Sequence, residues 1–262
     1  QGLSHLAEVV AVSARTEATR MEAASRLGGG ARAFADYRDL LEDGSVDAVM
    51  VAVPNALHRE VALAAVARGK HLFLELPVAL KPEDVSEVLR AAEQSSGVVQ
   101  FDFELRQMPV CRALQGIVRS GELGRLLSAA VELRANWGFG GGTFAEPEAR
   151  DGFYPWLAPF YLDILDLLLD GPEPVRAQVA GIRAMNGPML DQGHALIEYS
   201  GRLVGCFSHS ILSTRPEVAV SAALLCEKGE VSADLQAGTL RLYRSDGHGR
   251  EESHPPAQPV YG

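Results

Sequence analysis

Between residues 7 and 120, short β-branched runs alternate with longer stretches of helical periodicity, and this alternation narrows the fold more than any other feature. Runs at 8–12, 46–53, 71–74 and 98–101 read as strands, and 16–27, 36–41, 56–68, 82–94 and 109–119 as helices. Local signals agree: Thr16 and Asp36 suit N-caps, Pro82 a first turn, and Gly69 and Gly121 helix ends. Strands joined by crossover helices pair in parallel, and the unbroken apolar run at 46–53 reads as a buried, central strand of such a sheet. Beyond Gly124 the pattern changes. Alternating strands at 126–135, 175–185, 195–199, 203–212, 218–226, 231–235 and 240–243, with one amphipathic helix at 154–169, predict a second, α+β domain with an open, mainly antiparallel sheet. The domains are expected at 1–122 and 123–262. The glycine-rich segment 137–150 reads as a loop, and the polar stretch from Asp246 as a loop or frayed end.

Composition removes several function classes. Lys+Arg of 24 against Asp+Glu of 34 gives a net charge of −10, which disfavours a charge-driven grip on nucleic acid or on an anionic membrane surface. No apolar run approaches the ~18 residues of a membrane-spanning helix. Cys111, Cys206 and Cys226 are odd in number and widely spaced, so they read as reduced thiols rather than a disulfide frame or a metal site. A cytoplasmic location is expected. Lysines are few (Lys70, Lys81 and Lys228), so any chemistry that needs an amine has a short list of donors.

Two stretches carry more specific information. The first runs from Asp47 through the apolar strand to Pro54-Asn55-Ala56-Leu57-His58, then Gly69-Lys70-His71 and Glu75-Leu76-Pro77. The second comprises Ser120-Gly121-Glu122-Leu123-Gly124 and Phe160-Tyr161-Leu162-Asp163-Ile164-Leu165. In order and spacing they resemble the Gfo/Idh/MocA family of NAD(P)-dependent oxidoreductases, over nearly the whole chain. The resemblance implies a Rossmann-like parallel sheet, here incomplete at its N-terminus, followed by a substrate and oligomerisation domain. It also implies a homodimer or homotetramer built through the C-terminal sheet, since in the family that sheet commonly packs on a copy of itself.

The departures matter as much as the matches. No GxGxxG turn occurs, and Gly28-Gly29-Gly30 closes a helix instead of opening one, so the family's pyrophosphate-binding turn is not found. The chain opens on Gln1 rather than Met, and the expectation is that the first strand and helix lie upstream. The alternative is a rearranged sheet. After the second strand of the family's sheet, Ser13-Ala14-Arg15-Thr16 offers no carboxylate for an NAD ribose, so NADP(H) is favoured over NAD(H), or no cofactor at all if the phosphate loop is absent. Ser13, Arg15, Pro54, Asn55, His58 and Glu75 are the candidate cofactor-binding residues. Arg15 has the alternative of a plain surface arginine, and His58 that of a cap on the following helix.

The family's Glu-Lys-Pro motif places an ammonium beside the nicotinamide, but here the triplet is Glu75-Leu76-Pro77. The family's helix histidine is matched by Phe160. With both proton-handling positions apolar, alcohol–ketone chemistry loses an acid–base contribution worth ~10²–10⁴-fold. Three readings stay open: an atypical reductase of a conjugated alkene or imine, a non-redox lyase, isomerase or cyclase, and a pseudoenzyme serving as a binding or regulatory subunit. Asp163, Tyr161 and Glu75 are the candidate catalytic groups. Arg106, Trp137, Tyr154, Trp156, Phe160 and His209 are candidates for a small-molecule pocket, with Phe139 and Phe153 beside them. Each has a structural alternative. Asp163, on an apolar helix, requires a partner, for which Arg106 or Arg134 is available. The aromatic residues at 153–161 suit a core, and His209 suits an ordinary sheet position.

Overall fold

The computed structural model describes residues 7–27, 30–137, 157–184, 190–215 and 217–256. They form two compact units, Gln1–Asp102 and Phe103–Gly262. The division falls at Asp102 rather than after Glu122 because of the helix α5 (Pro109–Ser120). Its apolar stripe, Val110, Cys111, Leu114 and Ile117, is buried in the core of the second unit, as i, i+4, i+7 spacing dictates.

The first unit runs β1 (Ala11–Ser13), α1 (Glu17–Arg26), β2 (Arg32–Phe34), α2 (Tyr37–Glu42), β3 (Ala48–Val51), α3 (His58–Ala67), β4 (His71–Leu74), α4 (Pro82–Glu93) and β5 (Val99–Phe101). Caps set the helix starts. Thr16 Oγ1 accepts from the Thr19 amide at 3.2 Å, and Asp36 Oδ1 from the Arg38 amide at 2.9 Å. Gly69, at φ +68°, ends the α3 segment in the left-handed region that glycine tolerates best. All pairings here are parallel, β1 with β2 and β3-β4-β5 in order. Leu41, Val51, Val61, Ala62, Ala65, Leu72, Leu74 and Val88 form the core.

Two strand expectations are corrected. The first strand begins at Ala11 rather than Glu8 and is half-buried rather than buried. The run at 46–53 contracts to Ala48–Val51 and stands at an edge, since β4 is its partner in the three-stranded sheet. Met50, 65 % exposed, marks the side of β3 that no described element covers. Among the described residues β1-β2 and β3-β4-β5 are separate sheets, each in parallel order.

The second unit holds β6 (Leu126–Arg134), α6 (Ala158–Leu169), β7 (Pro174–Ile182), β8 (Gln192–Tyr199), β9 (Leu203–Ser210), β10 (Ala219–Cys226), β11 (Gly229–Asp234), β12 (Thr239–Arg244) and β13 (Gly249–Ser253). One eight-stranded sheet results, ordered β13-β12-β11-β10-β6-β9-β8-β7, antiparallel except where β6 meets β9. Val131, Leu133, Phe207, Val220 and Leu224 line its covered face, where α6 buries Ala158, Tyr161, Ile164, Leu165 and Leu168. Gly205 permits that approach: a Cβ there would lie 2.7 Å from Leu165 Cδ2. β13 replaces the expected frayed tail. Its Arg250-Glu251-Glu252 run reads as loop in sequence, but the turn at Asp246-Gly247 folds it back on β12, where Arg241 pairs with Glu251 at 3.2 Å and Arg250 reaches Glu122 at 2.8 Å.

Candidate functional site

In open parallel sheets ligands meet the carboxyl ends of the strands, and the candidate residues of the first unit gather at such ends. Ser13 is the last residue of β1 and half-buried, and Arg15 follows it exposed. The loop between them and α1 is fastened from below, because Arg20 Nη1 donates to the carbonyls of Ala14 at 2.9 Å and Arg15 at 3.3 Å. No carboxylate lies in 13–16, so the free guanidinium of Arg15 sets the charge there. After β3, Pro54 is exposed and Asn55 opens a 3-10 turn.

His58 behaves differently from its candidate role. It is 1 % exposed, with Nδ1 2.6 Å from the Pro77 carbonyl and Nε2 2.8 Å from the Val53 carbonyl. Both ring nitrogens thus face backbone carbonyls, to one of which a neutral ring donates, and the ring lies between the loop after β3 and the loop after β4. The imidazole positions the strand ends and offers a ligand no polar atom. Lys70 is held in the same way: its Nζ donates to the carbonyls of Asp43 (2.9 Å) and Val46 (2.6 Å). Leu76 is buried at 5 % exposed. Glu75 is half-buried beside it and follows β4 as Asp102, which the sequence does not single out, follows the neighbouring β5. Burial, and then the facing Asp102 charge, push the Glu75 carboxyl above its ordinary range.

In the second unit the partner of Asp163 is Arg106, whose Nε donates to Asp163 Oδ2 at 2.5 Å while Nη2 sits 3.4 Å from Asp166 Oδ2. Arg134 pairs instead with Glu132 at 2.9 Å. The Asp163 side chain is 9 % exposed, and burial raises its pKa in spite of the guanidinium. Arg106, Gln107, Arg112, Gln115 and Leu167 line an open groove of about 480 Å³.

Tyr161, a candidate catalytic group, is 1 % exposed and stacks on Phe207 with centroids 5.6 Å apart, so its ring is core. His209 continues that stack at 5.9 Å from Phe207, and its Nε2 donates to the Leu190 carbonyl at 3.1 Å. Desolvation lowers its pKa and keeps it neutral, which matches the ordinary sheet position. Trp137 and Phe160 are half-buried against the core of this unit. Tyr154 and Trp156, with Phe139 and Phe153, lie outside the described residues. Among the described residues no cluster of His, Cys, Asp and Glu suits a metal, and the three cysteines are free thiols.

A dinucleotide fits these strand ends in part. Ser13 and Arg15 suit a ribose or its phosphate, and Pro54 and Asn55 an adjacent stretch of the same ligand. The glycine-rich turn that would cradle a pyrophosphate does not occur in the 262 residues.

Parallel strands with crossover helices, followed by a large mixed sheet carrying one long helix, define a nucleotide-binding unit joined to an α+β unit. A model described as "Oxidoreductase family, NAD-binding Rossmann fold" matches residues 1–103, and the Gfo/Idh/MocA C-terminal domain model matches 111–232. The chain belongs to the Gfo/Idh/MocA oxidoreductase family. It is 36% identical over 124 residues to 1,5-anhydro-D-fructose reductase of Ensifer adhaerens, a match covering 47% of this chain and 37% of the relative. With trans-1,2-dihydrobenzene-1,2-diol dehydrogenase of Oryctolagus cuniculus the identity is 25% over 215 residues, covering 79% of this chain and 62% of the relative. The chain thus spans between about a third and three fifths of these relatives' lengths. Among solved structures, levoglucosan dehydrogenase in complex with NADH and levoglucosan superposes with a TM-score of 0.84 at 20% identity, covering 97% of this chain and 75% of that one. That likeness establishes the fold. The described residues contain no helix long and apolar enough to cross a membrane.

Proposed function

We propose that the chain is a nicotinamide-dependent reductase that prefers NADP(H) and acts on a small conjugated substrate, an alkene or imine, rather than on a simple alcohol–ketone pair. The observation that carries this reading is the apolar pair of replacements, Leu76 and Phe160, within a family whose named relatives are dehydrogenases and reductases. When bound, the nicotinamide would supply or accept a hydride. This chain's own part is to hold it through Ser13, Arg15, Pro54 and Asn55, with His58 keeping two of the loops in register. A conjugated acceptor suits a site without an amine because its developing charge is delocalised and calls for less acid help. The dihydrobenzene-diol named for one relative is itself a small conjugated ring. The non-redox reading loses ground, since Asp163 is occupied by Arg106.

Preference for NADP(H) rests on Arg15 in a loop without carboxylates. Replacing Arg15 with Glu removes one charge-assisted hydrogen bond, worth roughly 1.5–3 kcal/mol, and adds repulsion. NADPH affinity is expected to fall by about tenfold or more, with NADH affected far less. Equal loss for both cofactors would refute the assignment. The free thiols favour a reducing compartment, the cytoplasm.

A homodimer through the uncovered face of the large sheet completes the proposal. Tyr243, Glu230, Leu225, Ser128, Val204 and Glu198 are successive cross-strand neighbours on that face. Eight strands ~4.8 Å apart and roughly six residues long present about 800 Å², the area each partner contributes to a standard interface. Sedimentation equilibrium is expected to report a dimer or tetramer, dissociated by Leu225→Arg; a monomeric parent protein would overturn this part.

A further inference from the structure

We infer that Arg20 is a positioning residue for cofactor choice: its guanidinium clamps the loop after β1 from beneath and fixes the backbone that carries Arg15. The preference for a dinucleotide with a ribose phosphate then depends on Arg20 without contact between the two. This role rests on the nicotinamide reading of the strand ends and adds a second residue on which its specificity turns.

The clamp follows from the place of Arg20 in the chain. Thr16 is the N-cap of α1, so Arg20 is the fourth residue of that helix. Helical side chains lean toward the N-terminus, and from the fourth position a long one reaches back past the cap to the preceding loop. Arg20 is half-buried, and its Nη1 donates to the Ala14 carbonyl at 2.9 Å and the Arg15 carbonyl at 3.3 Å. Its own amide donates to the Thr16 carbonyl at 3.1 Å. Three successive carbonyls, 14 to 16, are thus all held by one residue. The Thr16 hydroxyl is committed as well: Oγ1 accepts from the Thr19 amide at 3.2 Å and lies 2.8 Å from the Thr19 hydroxyl. The next carboxylate in the chain is Glu17, in the first turn of α1, where the helix dipole favours it.

Holding the carbonyls decides what the loop presents. In a trans peptide the N–H lies on the opposite side of the unit from the C=O. With the carbonyls of Ala14 and Arg15 turned to Arg20, the amides of Arg15 and Thr16 turn away from it, and both residues are exposed. Neither amide has an acceptor among the described residues. The Arg15 side chain starts from the clamped peptide, so its reach is as well defined as that backbone. Once the carbonyls are released, the loop samples other backbone conformations and the Arg15 cation spreads over many positions. An anion must then supply the ordering entropy that Arg20 supplies beforehand.

The test is a double-mutant cycle read by calorimetric titration of NADPH and NADH into the parent, Arg20→Met, Arg15→Gln and the double variant, with backbone NMR relaxation of the unliganded proteins. In the parent, the Arg15 and Thr16 amides are expected to have order parameters near about 0.85, falling below about 0.6 in Arg20→Met. The ratio of NADPH to NADH affinity should fall by about fivefold or more in Arg20→Met, the equivalent of one lost hydrogen bond. In the Arg15→Gln background the same replacement should change that ratio by less than about twofold, because no cation is left to position. A merely structural role would weaken both dinucleotides alike, so an unchanged ratio in Arg20→Met overturns the assignment. Losses that add in the double variant overturn it too, since Arg20 would then meet the phosphate itself, as do order parameters that Arg20→Met leaves in place. A parent that binds neither dinucleotide, or prefers NADH, defeats the NADP(H) reading and the role of Arg20 with it. A parent that prefers NADPH with a ratio indifferent to Arg20→Met defeats the role of Arg20 alone.

Discussion

Replacing Arg106 with Met keeps the aliphatic stem and removes the guanidinium from a carboxylate that is 9 % exposed. Asp163 would lose its 2.5 Å hydrogen bond, with Asp166 left as its nearest charge. Breaking a fully buried ion pair costs roughly 3–5 kcal/mol. Arg106 is itself about a third exposed, so water enters where the guanidinium was and the loss settles nearer about 2 kcal/mol. For a unit of this size that lowers the melting temperature by roughly 4–8 °C. Both tryptophans, Trp137 and Trp156, fall after Asp102 in the chain, so tryptophan fluorescence follows the second unit's transition. The pH dependence fixes the cause. Burial already raises the Asp163 pKa, so its ionisation works against the fold, and stability from this group is lost as pH rises through the raised value. Without Arg106 that penalty grows. The variant should therefore melt well below the parent at about pH 8, with the deficit shrinking as the pH falls toward about 4 and Asp163 takes up a proton. The double variant Arg106→Met with Asp163→Leu should recover most of the loss, because no buried charge remains. An equal deficit at both pH values, or a double variant as unstable as the single, would refute the reasoning.

Two further variants test how the elements are held. Gly205→Ala places a methyl 2.7 Å from Leu165 and 2.8 Å from Tyr199, both packed side chains, and should cost about 1–3 kcal/mol in the same fluorescence melt. Lys70→Met removes two hydrogen bonds to backbone carbonyls in the turn before β3. Amide exchange in the first unit should quicken there by the equivalent of roughly 1–2 kcal/mol.

Much of this fold was legible in the sequence because its signals are local. Thr16 and Asp36 cap their helices, Gly69 and Gly121 take positive φ, and the motif around Pro54 and Glu75 falls at strand ends. What escaped depends on contacts that spacing alone does not encode. β13 is charged on both faces and becomes a strand through pairing with β12 and reach to Glu122. The run at 46–53 carries the apolar composition of a central strand yet stands at an edge, because composition records burial and not which neighbours are present. Asp163 announced its need for a cation, but Arg106 and Arg134 were equal until Arg134 was found turned to Glu132 along its own strand. Asp102 gave no signal at all. Only the parallel register of β4 and β5 brings it to Glu75.

Calorimetric titration of NADPH and NADH into the protein bears most directly on the central claim. One dinucleotide bound per chain, with NADPH the tighter ligand, is the predicted outcome. Heat from neither cofactor up to about millimolar concentration, where even a contribution of ~4 kcal/mol would register, would contradict it.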